Sequence, residues 1–228
     1  MPAARSARST IKKFIRAPFR WLTGRGRPED GWPRSRREFD AFWADDAVLE
    51  AYETETRAGR DRMVLDLFPG RPRRLLDVGC GAGRFLKAAM QKWPGEPSVE
   101  LWGVDFSQAA IDRARTVLPA ATLRCAPADA LGLPDAHFDA VASLQTLEHV
   151  PEPEKALSEV VRVLAPGGTL MVSVPDAATD TASCHVNFWT LDEFRAFLRP
   201  HGTVQVVRGP ENRGLIGTLR KPAPSGKA

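Results

Sequence analysis

The segment LLDVGCGAGRF, residues 75–85, constrains the fold of this chain more than any other. A short apolar run ends in Asp77, glycine recurs at 79, 81 and 83, and a helix-like stretch follows. The pattern predicts a strand, a tight turn and the start of a helix. Glycines let the backbone turn sharply and let a ligand approach with no Cβ in the way. Two common phosphate loops are excluded. The dinucleotide pattern G-x-G-x-x-G needs glycine at 84, where Arg84 stands. A P-loop ends in Gly-Lys-Ser/Thr, which is absent here. A carboxylate at Asp77, inside the turn, would repel a pyrophosphate and suits a cationic amino group.

The strand-to-helix rhythm continues along the chain. Strands are predicted over 73–79, 99–105, 122–128, 138–144 and 167–175, and helices over 84–93, 107–118, 153–164 and 190–198. Thr190 and Glu193 have the spacing of a capping box. Residues 203–209 and 213–221 read as two last strands, and residues 38–68 as one or two helices anchored by Phe39, Phe42, Trp43 and Leu49. Such alternation implies a parallel sheet wound on both faces, with ligands beyond the carboxyl ends of its strands. With 228 residues, 43% hydrophobic and 26% charged, the chain suffices for one α/β domain and is not disordered throughout. No apolar run approaches the roughly 18 residues that span a bilayer.

Charge is unevenly placed. Residues 1–37 hold eleven Lys/Arg and two acids, so the rest of the chain carries 21 basic and 26 acidic residues. The excess of base belongs to the head, and a uniformly basic nucleic-acid surface is not supported; no nucleic-acid partner is expected. Within this basic N-terminal extension, Ile11, Phe14, Ile15, Pro18, Phe19 and Leu22 share one helical face opposite Lys12, Lys13, Arg16 and Arg20. Residues 10–22 therefore read as a peripheral membrane contact, a targeting segment or a partly disordered tail, with Pro18 limiting any helix to about two turns. Residues 222–228 read as a frayed tail. Three cysteines (Cys80, Cys125, Cys184) without a CxxC pair argue against a disulfide framework or thiolate zinc site, and point to a reducing, cytoplasmic setting.

Four blocks in order, DVGCGAG, GVDFS, APADALGLPD and LAPGGTLMVSVP, resemble the class I S-adenosylmethionine-dependent methyltransferases over roughly residues 70–220. The resemblance implies a Rossmann-like doubly wound α/β fold: a seven-stranded, mostly parallel sheet with N-terminal helices, in a domain spanning 38–221. It implies S-adenosyl-L-methionine as cofactor. The loop of Gly79, Cys80, Gly81 and Gly83 would wrap the amino-acid end, with Asp77 helping to hold the ammonium. Asp105 would accept the two ribose hydroxyls, Phe106 would pack on adenine, and Asp129 with the backbone at Ala130 would meet its amino group. Two vicinal hydroxyls are donors, and one carboxylate offers two acceptor oxygens. Cys80 enters only as a small residue of the loop.

SLQTLEHVPEPEKAL follows the fourth strand and looks most like the ubiquinone-biosynthesis O-methyltransferases and their small-molecule relatives. There Gln145 and Thr146 should run along the cofactor, with Glu148 and His149 facing the acceptor. A phenol titrates near 10, so a base helps at neutral pH, and His149 is the natural candidate. The other reading has Glu148 and His149 capping the next helix. His185 in CHVNFWTLDEF is a second base candidate; Asn187, Phe188 and Trp189 either line the acceptor pocket or, for Phe188 and Trp189, staple the following helix. In some relatives a carboxylate three residues before such a Glu-His pair holds a divalent cation. Gln145 stands there, and Glu148 with His149 alone would serve Mg²⁺ poorly, so no metal requirement is expected.

The expected function is methylation of a small-molecule acceptor, on oxygen: an aromatic or quinone-like lipid precursor, a sugar or a specialised metabolite. Alternatives are a protein methyltransferase and a non-catalytic cofactor-binding scaffold. Nucleic-acid amino-methyltransferases carry Asp/Asn-Pro-Pro-aromatic after the fourth strand, where this chain has Leu144-Gln145-Thr146-Leu147, and no Pro-Cys nucleophile occurs.

Overall fold

In the computed structural model, residues 36–46, 55–95, 98–180, 185–210 and 214–223 are described. Residues 1–35 of the basic head, 10–22 among them, the expected anchor Leu49, Cys184 and the terminal residues 224–228 lie outside them. Among the described residues two helices, α1 (Arg36–Ala44) and α2 (Glu55–Leu67), precede the sheet. The alternation then runs β1 (Arg74–Val78), α3 (Arg84–Lys92), β2 (Glu100–Asp105), α4 (Gln108–Val117), β3 (Thr122–Cys125) and β4 (Phe138–Leu144). After a 3₁₀ turn at Leu147–His149 come α5 (Pro153–Val163), β5 (Leu164–Val174), α6 (Leu191–Leu198), β6 (Thr203–Arg208) and β7 (Leu215–Arg220).

The strands form one seven-stranded sheet in the order β3-β2-β1-β4-β5-β7-β6. All pairs are parallel except β5–β7 and β6–β7. The fold class expected from the sequence is therefore found. Two boundaries differ by three residues. The third strand stops at Cys125, where Ala126 turns its amide back to the carbonyl of Asp105. The fifth begins at Leu164, earlier than expected, and shifts register between Phe138 and Ala140 of its neighbour.

Strand side chains alternate between two cores, as a sheet covered on both faces requires. Leu75, Ala140, Ala142, Met171 and Ile216 pack with Val64 and Leu65 of α2, Phe85 and Leu86 of α3 and Ile111 of α4. Leu76, Val78, Val141, Leu170 and Val172 pack with Leu157 and Val160 of α5 and Phe194 and Leu198 of α6. The order reverses between β1 and β4: β1 leads outward to β2 and β3, while β4 leads to β5. A crevice opens at such a switch, beyond the strand ends. The glycine turn after β1 and the turn after β4 flank it. No described helix is long and apolar enough to cross a membrane.

Candidate active site

The glycine turn is tied down from β2. Gly79 and Cys80 donate to the carbonyl of Val104 at 2.7 and 3.0 Å, and Gly81 donates to Asp105 Oδ2 at 2.9 Å. Gly79, Gly81 and Gly83 all have left-handed φ, at 79°, 52° and 85°. A Cβ on Gly79 would lie 2.1 Å from Thr146 Oγ1, and one on Gly81 2.6 Å from the Trp43 ring. The three glycines are thus demanded by backbone conformation and by close neighbours, a Cβ on Gly83 lying 2.8 Å from Leu118 Cδ1.

The turn lines a narrow cleft together with Trp43, Arg60, Asp77, Arg84 and Leu144. Asp77 is 2% exposed, and its Oδ1 has no hydrogen-bond partner among the described residues. Burial, with repulsion from Asp61 and Asp105, pushes its carboxyl up to about 8, against the pull of Arg84 and Arg60. A buried acid left unpaired in a cleft is costly unless a cationic donor meets it. Arg60, from α2, has a buried Nε that is likewise unpartnered. Asp61 is fully buried and holds Arg84 in a two-point ion pair, with Arg60 at 3.7 Å. The cleft therefore presents an acid and a guanidinium to one ligand, which fits the ammonium and carboxylate of an amino acid. Sequence reasoning missed Arg60 and Asp61, because the run RAGRDRM has no motif and little amphipathic character. It used Arg84 only to exclude a dinucleotide loop.

Asp105 ends β2 beside the cleft. Its two oxygens accept from the amides of Gly81 and Ser107, at 2.9 Å each. Each carboxylate oxygen has a second lone pair, so acceptance of ribose hydroxyls remains compatible with this role. Burial pushes its carboxyl up to about 6 against those hydrogen bonds. Phe106 meets the edge of Phe39 from α1, at a centroid distance of 4.6 Å. Asp129 is bridged to Lys155 at 3.0 Å, and the amide of Ala130 closes a turn on Pro127 at 3.1 Å. Of the pair expected to meet adenine, the Ala130 amide is thus already used, and Asp129 keeps one oxygen clear of Lys155. The side chain of Gln145 reaches Ser173 Oγ at 3.4 Å, and its backbone is left-handed, with φ 55°. Its backbone, more than its amide group, shapes the end of β4.

On the other side of the crevice Glu148, His149 and His185 converge. The His149 and His185 rings are 4.9 Å apart, and Phe39 lies 5.9 Å from His149. His185 Nδ1 is 2.5 Å from Asp180 Oδ2, a partner that no local spacing announced. Glu148 is 1% exposed, with Oε2 unpartnered, and burial pushes its carboxyl up to about 8. Phe188 is half exposed at 6.4 Å from His185. Trp189 is instead buried against Phe194 and Phe197, so it staples α6 and does not line the pocket. Asn187 is also withdrawn: its side chain donates to the carbonyls of Leu147 and Val150 at 2.9 and 2.7 Å.

Comparison with known proteins agrees with this geometry. Residues 76–172 match the family described as "Methyltransferase domain". The chain is 32% identical over 189 residues to an uncharacterized 37.1 kDa protein in a transposon of Streptomyces fradiae, covering 80% of this chain and 52% of that protein. It is 33% identical over 106 residues to the ubiquinone biosynthesis O-methyltransferase of Alkalilimnicola ehrlichii, covering 44% of this chain and 41% of that one. The chain thus spans about half the length, or less, of these relatives. The N-methyltransferase NodS of Bradyrhizobium japonicum, solved with S-adenosyl-L-homocysteine, superposes with a TM-score of 0.68 at 20% identity, covering 82% of this chain and 98% of that one, a likeness of fold. Over residues 76–172 the chain is thus similar to a methyltransferase domain, its relatives include an O-methyltransferase, and its fold is that of a solved methyltransferase.

Proposed function

We propose that the chain transfers the methyl group of S-adenosylmethionine to an oxygen of a small, flat acceptor of aromatic or quinone-like type. The observation that carries the cofactor half is the buried, unpartnered Asp77 beside Arg60 in the glycine cleft. Asp77 would take the ammonium, Arg60 the carboxylate, and Asp105 the ribose hydroxyls. The bound cofactor supplies an electrophilic methyl on a sulfonium sulfur. The protein's remaining task is to orient the acceptor in line and to receive its proton. A nitrogen of the His149–His185 pair accepts that proton, and Asp180 on Nδ1 orients His185. The rings of Phe39, His149, His185 and Phe188 form a chain along the acceptor side, which favours a planar acceptor.

Titration of the chain with S-adenosyl-L-homocysteine tests the cofactor reading, beside the Asp77→Asn variant. A charge-assisted hydrogen bond contributes roughly 1.5–3 kcal/mol, so affinity should fall at least about tenfold. Asparagine keeps the shape, so the melting temperature of the free protein should not fall. Equal binding by both proteins would remove Asp77 from the site. No binding by either would sink the enzyme reading.

A further inference from the structure

We propose that Glu148, His149 and His185 form a three-ligand site for a divalent transition cation of the zinc type. One ligand atom from each residue lies within 4.8 Å of the others. Ligands of a tetrahedral cation bound at 2.0–2.1 Å stand roughly 3.4 Å apart, so small side-chain rotations close the site. Glu148 and His149 are adjacent in the chain; the fold supplies the third ligand, His185, from 36 positions further along.

The donor set selects the metal. Two imidazoles and one carboxylate suit zinc and its neighbours, whereas magnesium demands near-octahedral oxygen. Glu148 is buried, and its Oε2 has no partner among the described residues. A cation would supply one, and the carboxyl would release its proton on binding. Behind His185 stands Asp180, 2.5 Å from Nδ1. That contact places the ring proton on Nδ1 and leaves the Nε2 lone pair for a ligand bond, the arrangement that orients metal-binding histidines.

The two ligand-bearing segments are held together independently of any ion. Val186 and Asn187 donate their amides to the Glu148 carbonyl at 2.8 and 3.2 Å. The Asn187 side chain spans the carbonyls of Leu147 and Val150 on either side of the ligand pair. A site on segments locked by four hydrogen bonds is preorganised rather than assembled by the metal. Three protein ligands leave a fourth position for water or an acceptor oxygen. The lone pairs that would take a proton are those that bind the cation, so zinc and protons compete for these rings.

Calorimetric titration of chelator-treated full-length protein with zinc chloride tests the site, with cobalt(II) absorption as the spectroscopic readout. Wild type should bind one zinc per chain and show the visible bands of four-coordinate cobalt, while magnesium chloride gives no heat at the same concentrations. Asp180→Asn keeps all three ligands and should weaken zinc about 10–100-fold. His185→Ala and Glu148→Gln should weaken it further and abolish the four-coordinate cobalt spectrum. Circular dichroism and S-adenosyl-L-homocysteine binding report whether each variant is folded, and separate failure here from failure of the cofactor reading. No zinc binding by wild type overturns the proposal. So does zinc binding that the folded Asp180→Asn and Glu148→Gln variants leave unchanged.

Discussion

Glu148 is a carboxyl that the fold keeps protonated. Burial raises it to about 8, where an unfolded chain holds a glutamate near 4.3. Between those values the folded state binds a proton that the unfolded state lacks. Stability therefore falls as pH rises: the contribution is fully present below about pH 4.3 and is lost as pH climbs through 8. Asp77, also raised to about 8, and Asp105, raised to about 6, act in the same sense. Urea unfolding of the metal-free, ligand-free protein at pH 5 and pH 8 should show the loss. Glu148→Gln keeps the side chain's shape and removes one titration, so its stability should decline less steeply across that window. Parallel slopes for the two proteins would refute the assignment. At this scale Asp77 and Asp105 were legible, because a strand end before a glycine turn singles out its acids. Arg60 and Asp180 were not, because only the fold brings them to the cleft of Asp77 and to His185.

The helices show where local signals suffice. Thr190 caps α6 by accepting from the Glu193 amide, and Glu193 accepts from the Thr190 amide at 2.8 Å, as the spacing of the two residues predicts. Such a cap lies within four residues, so sequence alone specifies it. The start of α4 is different. Ser107 accepts from Ala110 at 3.2 Å, a local cap, but Asp40 on α1 adds bonds from Ser107 Oγ at 2.6 Å and the Ala109 amide at 3.1 Å. An acid 67 residues upstream thus completes a helix terminus, and no spacing rule reaches that far. The same contact seats α1 over the crevice, where Phe39 reaches Phe106 and His149, and Trp43 covers Gly81. Asp40→Ala should lower stability by about 1 kcal/mol, the usual loss for a cap. It should also raise amide exchange through residues 36–44, because α1 loses a polar tie to the domain and keeps the bond from Arg113 to the Ala44 carbonyl at 2.7 Å. Unchanged exchange there would show that Phe39, Trp43 and the Arg113 bond suffice to hold the helix.

For the whole molecule, the alternation of strands and helices conveyed the class of fold, since a sheet covered on both faces needs apolar runs separated by amphipathic ones. The strand order was not written in any one segment. It decides where the site lies, because the reversal between β1 and β4 brings the glycine turn opposite Glu148 and His149, 69 and 70 positions after Gly79. Much of the polar interior sits along this crevice: Asp61, Asp77, Asp105 and Glu148 are all buried there. The free protein buries the Asp77 and Glu148 carboxyls at a cost in stability, and a ligand that pairs Asp77 stabilises the folded state alone. At a concentration 100 times its dissociation constant, such a ligand adds about 2.7 kcal/mol. For a domain of this size each kcal/mol raises the melting temperature by about 2–4 °C, so S-adenosyl-L-homocysteine should raise it by roughly 5–10 °C. At the same absolute concentration the Asp77→Asn variant should shift by about half as much, since the ligand then stands at only about ten times the dissociation constant of a tenfold weaker complex. A full shift in the variant would mean that the ligand draws its stabilisation from elsewhere in the crevice and leaves the buried acid unpaired.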